Sequence, residues 1–227
     1  MARRLTSVPR AVTSGSERPK RERNPEQTRK RILDAAEHEF AHKGYDGARL
    51  RDVAIAAGVH HALLHHYFGD KEGLFRAVIA RFLGSISSRG FELLRTSTNL
   101  GELIERYVDT VIDFYAKHRE FVLVLHFATL DEGSPAFTIC EELARTILLP
   151  LLEETTRTVE RAQREGVVPA DMDARHAVAV AAGAAAYLFH DEHLFRQFFG
   201  RDIRDPSMLS AHKKAVIAVL RHGLMRG

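Results

Sequence analysis

Residues 50–75 read LRDVAIAAGVHHALLHHYFGDKEGLF, and their punctuation decides the fold of the chain. Leu50, Val53, Ala54 and Ala57 recur at i, i+3, i+4 and i+7, the spacing of one helical face, and Gly58 stops that short helix. After a tight turn, His60 to His66 predict another short helix, with Val59, Leu64 and part of Ala62 turned inward and Phe68 closing a small core. Gly69 breaks the run, and Asp70 is placed to cap a longer helix striped with Leu74, Phe75, Val78, Ile79, Phe82 and Leu83. Two short helices that meet at Ala57-Gly58-Val59 suit a DNA reader, in which the first crosses the phosphate backbone and the second offers its N-terminal residues to the major groove. Gly58 permits the turn, and the small Ala54 and Ala57 let the helices approach closely.

Upstream, Asn24 is placed to cap a helix, Pro25 fits its first position, and Gln27 stands where a capping-box partner belongs. Ile32, Ala36 and Phe40 continue as an apolar stripe up to Gly44, which predicts a helix over Pro25–Lys43. Residues 1–24 carry prolines, serines and seven Arg/Lys against two Glu, with no apolar period, and read as a flexible basic arm. Residues 84–227 hold 17 basic and 20 acidic groups, so positive potential gathers at the N-terminal end, where nucleic acid would meet it.

Downstream no strand-like alternation and no repeat occurs. Amphipathic stretches predict helices over Leu100–Lys117, Arg119–Leu130, Ser134–Glu165 with a bend at Pro150, Ala174–Arg196 and Pro206–Met225. The expected fold is therefore all-α. It divides into the arm, a helix-turn-helix head over 25–70, and a larger helical domain over 71–227. The single cysteine, Cys140, cannot form an internal disulfide and fits a reducing, cytoplasmic setting. The longest apolar run, Ala177 to Phe189, falls short of the ~20 residues a membrane span needs, so no membrane partner is expected.

The run Thr28-Arg29, Ile32-Leu33-Asp34-Ala35-Ala36, Phe40, Gly44-Tyr45, Leu50-Arg51-Asp52-Val53-Ala54, Ala57-Gly58-Val59 and Tyr67 through Phe75 closely resembles the DNA-binding domain of the tetracycline-repressor (TetR) family. The resemblance covers about Pro25 to Leu83. It implies a homodimeric transcriptional regulator, in the main a ligand-responsive repressor, that binds a palindromic double-stranded DNA operator and answers to a small-molecule effector without any cofactor. An activator of the same fold is the first alternative, and a non-specific DNA-binding protein or an enzyme are the others. The resemblance also places the DNA-contacting positions on His60, His61, Ala62, Leu63, His65, His66 and Tyr67, with Arg49 flanking them and Lys71 as a phosphate-contacting lysine at the start of the fourth helix. The chain departs from the family pattern where Ala48 and Arg49 replace a small hydroxyl residue, and where His60, Leu63 and His65 replace the usual Ser, Thr and Tyr. Fewer hydroxyl donors and more imidazoles then face the groove.

His61 and His65 share a face at i, i+4, yet no third ligand is identifiable for them, and none for His190 and His193, which read as part of a solvated loop. No metal is expected. Neither a nucleophile elbow, a phosphate loop nor paired carboxylates stand in the chain, so no catalytic residue is expected either. For the effector, Phe82, Phe91, Tyr107, Phe114, Tyr115, His126, Phe127 and Tyr187 are the candidate lining of an apolar cavity with polar tips. The last two helices, the first of them carrying the small-residue stretch Ala177–Ala186, are the expected dimerisation surface by family analogy.

Overall fold

In the computed structural model, which describes residues 24–225, the chain forms eleven α-helices and no strand among the described residues. They are α1 (Pro25–Gly47), α2 (Leu50–Ala56), α3 (His61–Phe68), α4 (Lys71–Thr96), α5 (Leu100–Lys117), α6 (Arg119–Ala128), α7 (Pro135–Leu143), α8 (Leu149–Arg164), α9 (Ala174–His190), α10 (Glu192–Phe199) and α11 (Pro206–Leu224). The arm, apart from Asn24, lies outside the described residues.

Side chains start most of these helices. Asn24 accepts from the Glu26 and Gln27 amides at 3.0 and 3.5 Å, and Asp70 accepts from Gly73 at 2.8 Å, so orphan donors of α1 and α4 are answered locally. Helix α1 turns at Gly44 (φ 66°, ψ 179°) and resumes briefly to Gly47. Helix α2 has no side-chain cap of its own, and Glu39 of α1 accepts the Arg49 amide at 3.3 Å instead.

Two expectations need correction. The stretch Ser134–Glu165 is not one helix bent at Pro150: a π-helical turn, Ala144–Leu148, separates α7 from α8 just ahead of the proline. Pro150 has no N–H to give to the preceding turn, and a wider turn is one way to absorb the missing bond. Ala174–Arg196 is likewise two helices, broken at Asp191 (φ −126°, ψ 60°), whose carboxylate accepts from the Leu194 amide at 3.1 Å. His190 and His193 therefore stand on consecutive helix ends and not in a loop. Glu192 holds the joint through Arg119 at 2.7 Å and Arg196 at 2.5 Å.

One continuous core joins the head to the rest. Ile32, Phe40, Val53, Leu64, Leu74 and Phe75 pack within the head, and the same cluster runs on through Phe82, Phe114 and Phe121 to Cys140 and Leu143. Helix α4, 26 residues long and therefore about 39 Å end to end, is its spine. Arg81 on α4 reaches Asp34 and Glu37 of α1, both at 2.7 Å, and pins head to spine. Burial pushes the Glu37 carboxyl up to about 7, with Arg81 pulling the other way and Glu120 and Asp34 adding to the rise. Asp34 is less buried, and its bonds to Lys30 and Arg81 hold it below the usual range against a desolvation that would raise it.

Candidate DNA-reading surface and effector cavity

The reading face forms because Gly58 sits at φ 62°, a conformation that turns the chain from α2 into α3 without a Cβ penalty. Val59 then donates back to the Ala54 carbonyl at 3.0 Å, and fully buried Leu64 ties α3 to the core. Its opposite side leaves His61, Ala62, His65 and His66 exposed, with Leu63 and Tyr67 half-buried. The rings of His61 and His65 meet edge-on at 4.5 Å, as their spacing requires.

His60 lies one residue before the helix proper, as its N-cap. Its Nδ1 accepts from the Ala62 amide at 3.3 Å, so in the neutral ring the proton sits on Nε2, which is left as an outward donor. His65 is the converse. Its Nδ1 faces the Gly69 carbonyl, which can only accept, so the proton sits on Nδ1 and a neutral ring offers Nε2 as an acceptor. The N-cap imidazole and one on the helix it caps thus present opposite hydrogen-bonding characters to a groove. Lys71 donates to the Asp46 carbonyl at 3.0 Å with its ammonium 4.8 Å from the centre of the Tyr45 ring, which holds it against the end of α1. Arg49 is exposed.

Thr28 and Arg31 also belong to this face, although the sequence reading did not propose them. They line a groove with His60, Ala62, Leu63 and His66. Their i, i+3 spacing on α1 was the available signal, but only the packing of α1 behind the turn shows which side it serves.

A second concavity of about 240 Å³ lies between α4, α5, α8, α9 and α11. Its walls are almost wholly apolar, with Leu93, Ile104, Val111 and Leu151 among them, and Tyr107, Thr110, Thr155 and Arg89 bring the few polar atoms. Arg89 is exposed, and no carboxylate among the described residues pairs with it. Burial raises the phenols of Tyr107 and Tyr115, which keeps both neutral.

Of the eight side chains proposed for an effector, Tyr107, Phe114 and Tyr115 line this cavity. Phe82 does not: it stacks on Phe121 at 4.2 Å in the adjoining core. Phe91, Phe127 and Tyr187 are 40%, 45% and 60% exposed and lie outside it, as does exposed His126. The stretch of α4 that reaches the cavity is Ile86–Leu94, because the earlier turns, Phe75–Phe82, are spent on the core.

Residues 32–78 match the family model described as bacterial regulatory proteins, tetR family, and residues 101–220 match the one described as tetracyclin repressor-like, C-terminal domain. The HTH-type transcriptional repressor NicS of Pseudomonas putida is 25% identical over 190 residues, which cover 82% of this chain and 86% of NicS. Among solved structures, FadR from Bacillus subtilis in complex with stearoyl-CoA aligns with a TM-score of 0.69 at 18% identity over 86% of this chain and 98% of its own. The fatty acid degradation regulator FadR from Bacillus halodurans aligns with the same score at 19% identity over the same shares. At such identities the structural likeness shows the fold.

Proposed function

The chain belongs to the tetR family of bacterial regulatory proteins, and on that premise we propose that it is a repressor which grips a palindromic operator as a homodimer and lets go when an apolar effector fills the cavity. As a family member it is a DNA-binding transcriptional regulator, with the helix-turn-helix at its N-terminal end. The observation that carries the rest of the reading is the course of α4. One uninterrupted helix begins at Lys71 beside α3 and forms a cavity wall from Ile86 to Leu94. An effector that moves its far end displaces its near end, and with it the spacing of two recognition helices that must meet half-sites about one DNA turn (~34 Å) apart.

The lining sets the effector's chemistry. Apolar walls and an unpaired guanidinium at the mouth suit an acyl-like chain ending in an anionic group, Arg89 taking the charge and Leu93, Val111 and Leu151 the chain. The complex of Bacillus subtilis FadR with stearoyl-CoA lends support to that class. A volume of about 240 Å³ is small for such a site, so a long chain would run out through the mouth or widen the cavity.

The test is footprinting of the chain's own promoter region with and without fatty acids and acyl thioesters of graded length. Protection of a two-fold symmetric site, relieved by an acyl compound in the wild type and not in Arg89→Ala, is the expected result. Protection that no acyl compound relieves would remove the effector class, and absence of protection would remove the operator reading. A rise in transcription from a reconstituted promoter on adding the protein would make it an activator.

A further inference from the structure

Outside both sites, the joint between the head and the rest of the chain gathers three metal-ligating groups. His38 and His42 stand four residues apart on α1, and Glu120 projects from the first turn of α6, which packs along α1. One donor atom from each lies within 4.8 Å of the others. We propose that these three side chains form a binding site for a first-row divalent transition cation that clamps α1 to α6.

Three observations carry this. First, the donor set is chemically apt: two imidazoles and one carboxylate are the ligands that Zn²⁺, Co²⁺ and Ni²⁺ accept together, with water completing the shell. Second, one ligand is already oriented for the task. His42 Nδ1 lies 2.8 Å from the His38 carbonyl and must donate to it, which leaves Nε2 of a neutral ring with its lone pair free. A metal-bound histidine commonly has its other nitrogen held in this way. The His38 and His42 rings are stacked, centroids 4.1 Å apart and 21° from parallel, so the His38 ring must turn for both lone pairs to meet one ion.

Third, Glu120 is half-buried and makes no hydrogen bond or ion pair among the described residues. Arg81, which reaches α1 from α4, is spent on Asp34 and Glu37. A bound cation would supply the counter-charge that this carboxylate lacks. Ligand bonds of about 2.0–2.2 Å need donors roughly 3–3.5 Å apart, so closure from 4.8 Å asks for rotamer adjustments totalling about 1.5 Å, which exposed histidines can make. None of this depends on the effector or operator readings.

The test is a titration of untagged full-length protein with Zn²⁺ and with Co²⁺, followed by calorimetry and, for Co²⁺, by its visible ligand-field bands. One cation per chain with micromolar or tighter affinity is expected, together with a higher melting temperature. His42→Ala and Glu120→Gln should each weaken binding at least tenfold at unchanged helical content, whereas the double variant His61→Ala/His65→Ala on α3 should bind as the wild type does. Glu120→Gln keeps the side chain's shape and so separates lost ligation from lost folding. No stoichiometric binding by the wild type, undiminished binding by folded Glu120→Gln, or loss in the α3 double variant alone would each overturn the site.

Discussion

Gly73, in the first turn of α4, lies against the carbonyl of Phe68, the last residue of α3, so closely that a Cβ would overlap the oxygen. The recognition helix and the spine are thereby held at one angle by a contact that only a hydrogen on Cα allows. Gly73→Ala must push α3 from α4 at the point where the reading face is set, and strain of this kind in a packed site costs about 1–3 kcal/mol. Its expected signature is selective. Operator affinity should fall by an order of magnitude or more while binding of an apolar probe in the distant cavity stays as it was, measurable by fluorescence anisotropy with labelled DNA and by probe titration. Unchanged operator affinity would show that the angle is not fixed here.

His60 combines two duties that substitutions can separate. As N-cap it answers the Ala62 amide through Nδ1, and through Nε2 it faces outward to the groove. Loss of a cap costs about 0.5–2 kcal/mol, so His60→Ala should lower both stability and DNA affinity. His60→Ser keeps a capping oxygen, and it should restore the melting temperature without restoring sequence discrimination. If it restores both, the imidazole reads nothing.

Leu151 of α8 occupies the space above Gly90 of α4, where an added Cβ would fall 2.5 Å from one of its methyl carbons. Both residues line the cavity. Gly90→Ala displaces Leu151 into that space, and the effector should bind several-fold more weakly with operator affinity in its absence unchanged. Comparison of the effector concentration for half-release between the two proteins decides it.

Cys140 is buried in the main core, and burial pushes its thiol up to about 11. Since the thiolate is the reactive form, at pH 8 only about one molecule in a thousand carries it, and even that one is shielded. Iodoacetamide should leave the folded protein unmodified over hours at pH 8 and label it promptly in denaturant. Fast labelling of the native state, read by mass spectrometry, would mean that the core opens far more often than its packing implies.

The head was readable in the sequence because its information is local. Asn24, Pro25, Gly58 and Asp70 each act within four residues of themselves, so capping and turn chemistry located the starts of α1 to α4 within a residue, while α1 runs four residues past its expected end at Lys43. The cavity is another matter. Whether Phe82 or Tyr107 faces the hollow depends on which helices pair across it, and Phe82, Phe91 and Tyr107 look alike as members of an apolar stripe. The break at Asp191 was hidden for a related reason: α9 and α10 share one register of apolar residues, and a single residue with ψ 60° interrupts them. The donors His38, His42 and Glu120 lie about eighty residues apart in sequence, and only the packing of α6 along α1 makes them neighbours.

Helix α9 carries the evidence for self-association. A helix that keeps one face in water has a polar side, yet α9 exposes Ala179, Val180, Gly183 and Tyr187 in a row while Ala177, Ala185 and Leu188 are buried on the other face. Val180 is 62% exposed and Val219 of neighbouring α11 is 67% exposed, so two adjacent helices present small and apolar groups outward. The same pair of helices in a second copy would cover them, with Gly183 allowing close approach, in the two-fold arrangement that the proposed palindromic operator would require. A charge placed at the centre of that face would be buried without a partner, which costs several kcal/mol per dimer, since each copy contributes one. Val180→Glu should therefore give a monomer by light scattering at micromolar concentration, with helical content retained. Its operator affinity should fall at least a hundredfold, because each head then binds its half-site alone and loses the gain in effective concentration that linkage to a second head supplies. A dimeric Val180→Glu would place the contact on another face, whereas a monomer that bound the operator as tightly as the wild type would show that the two heads do not act together.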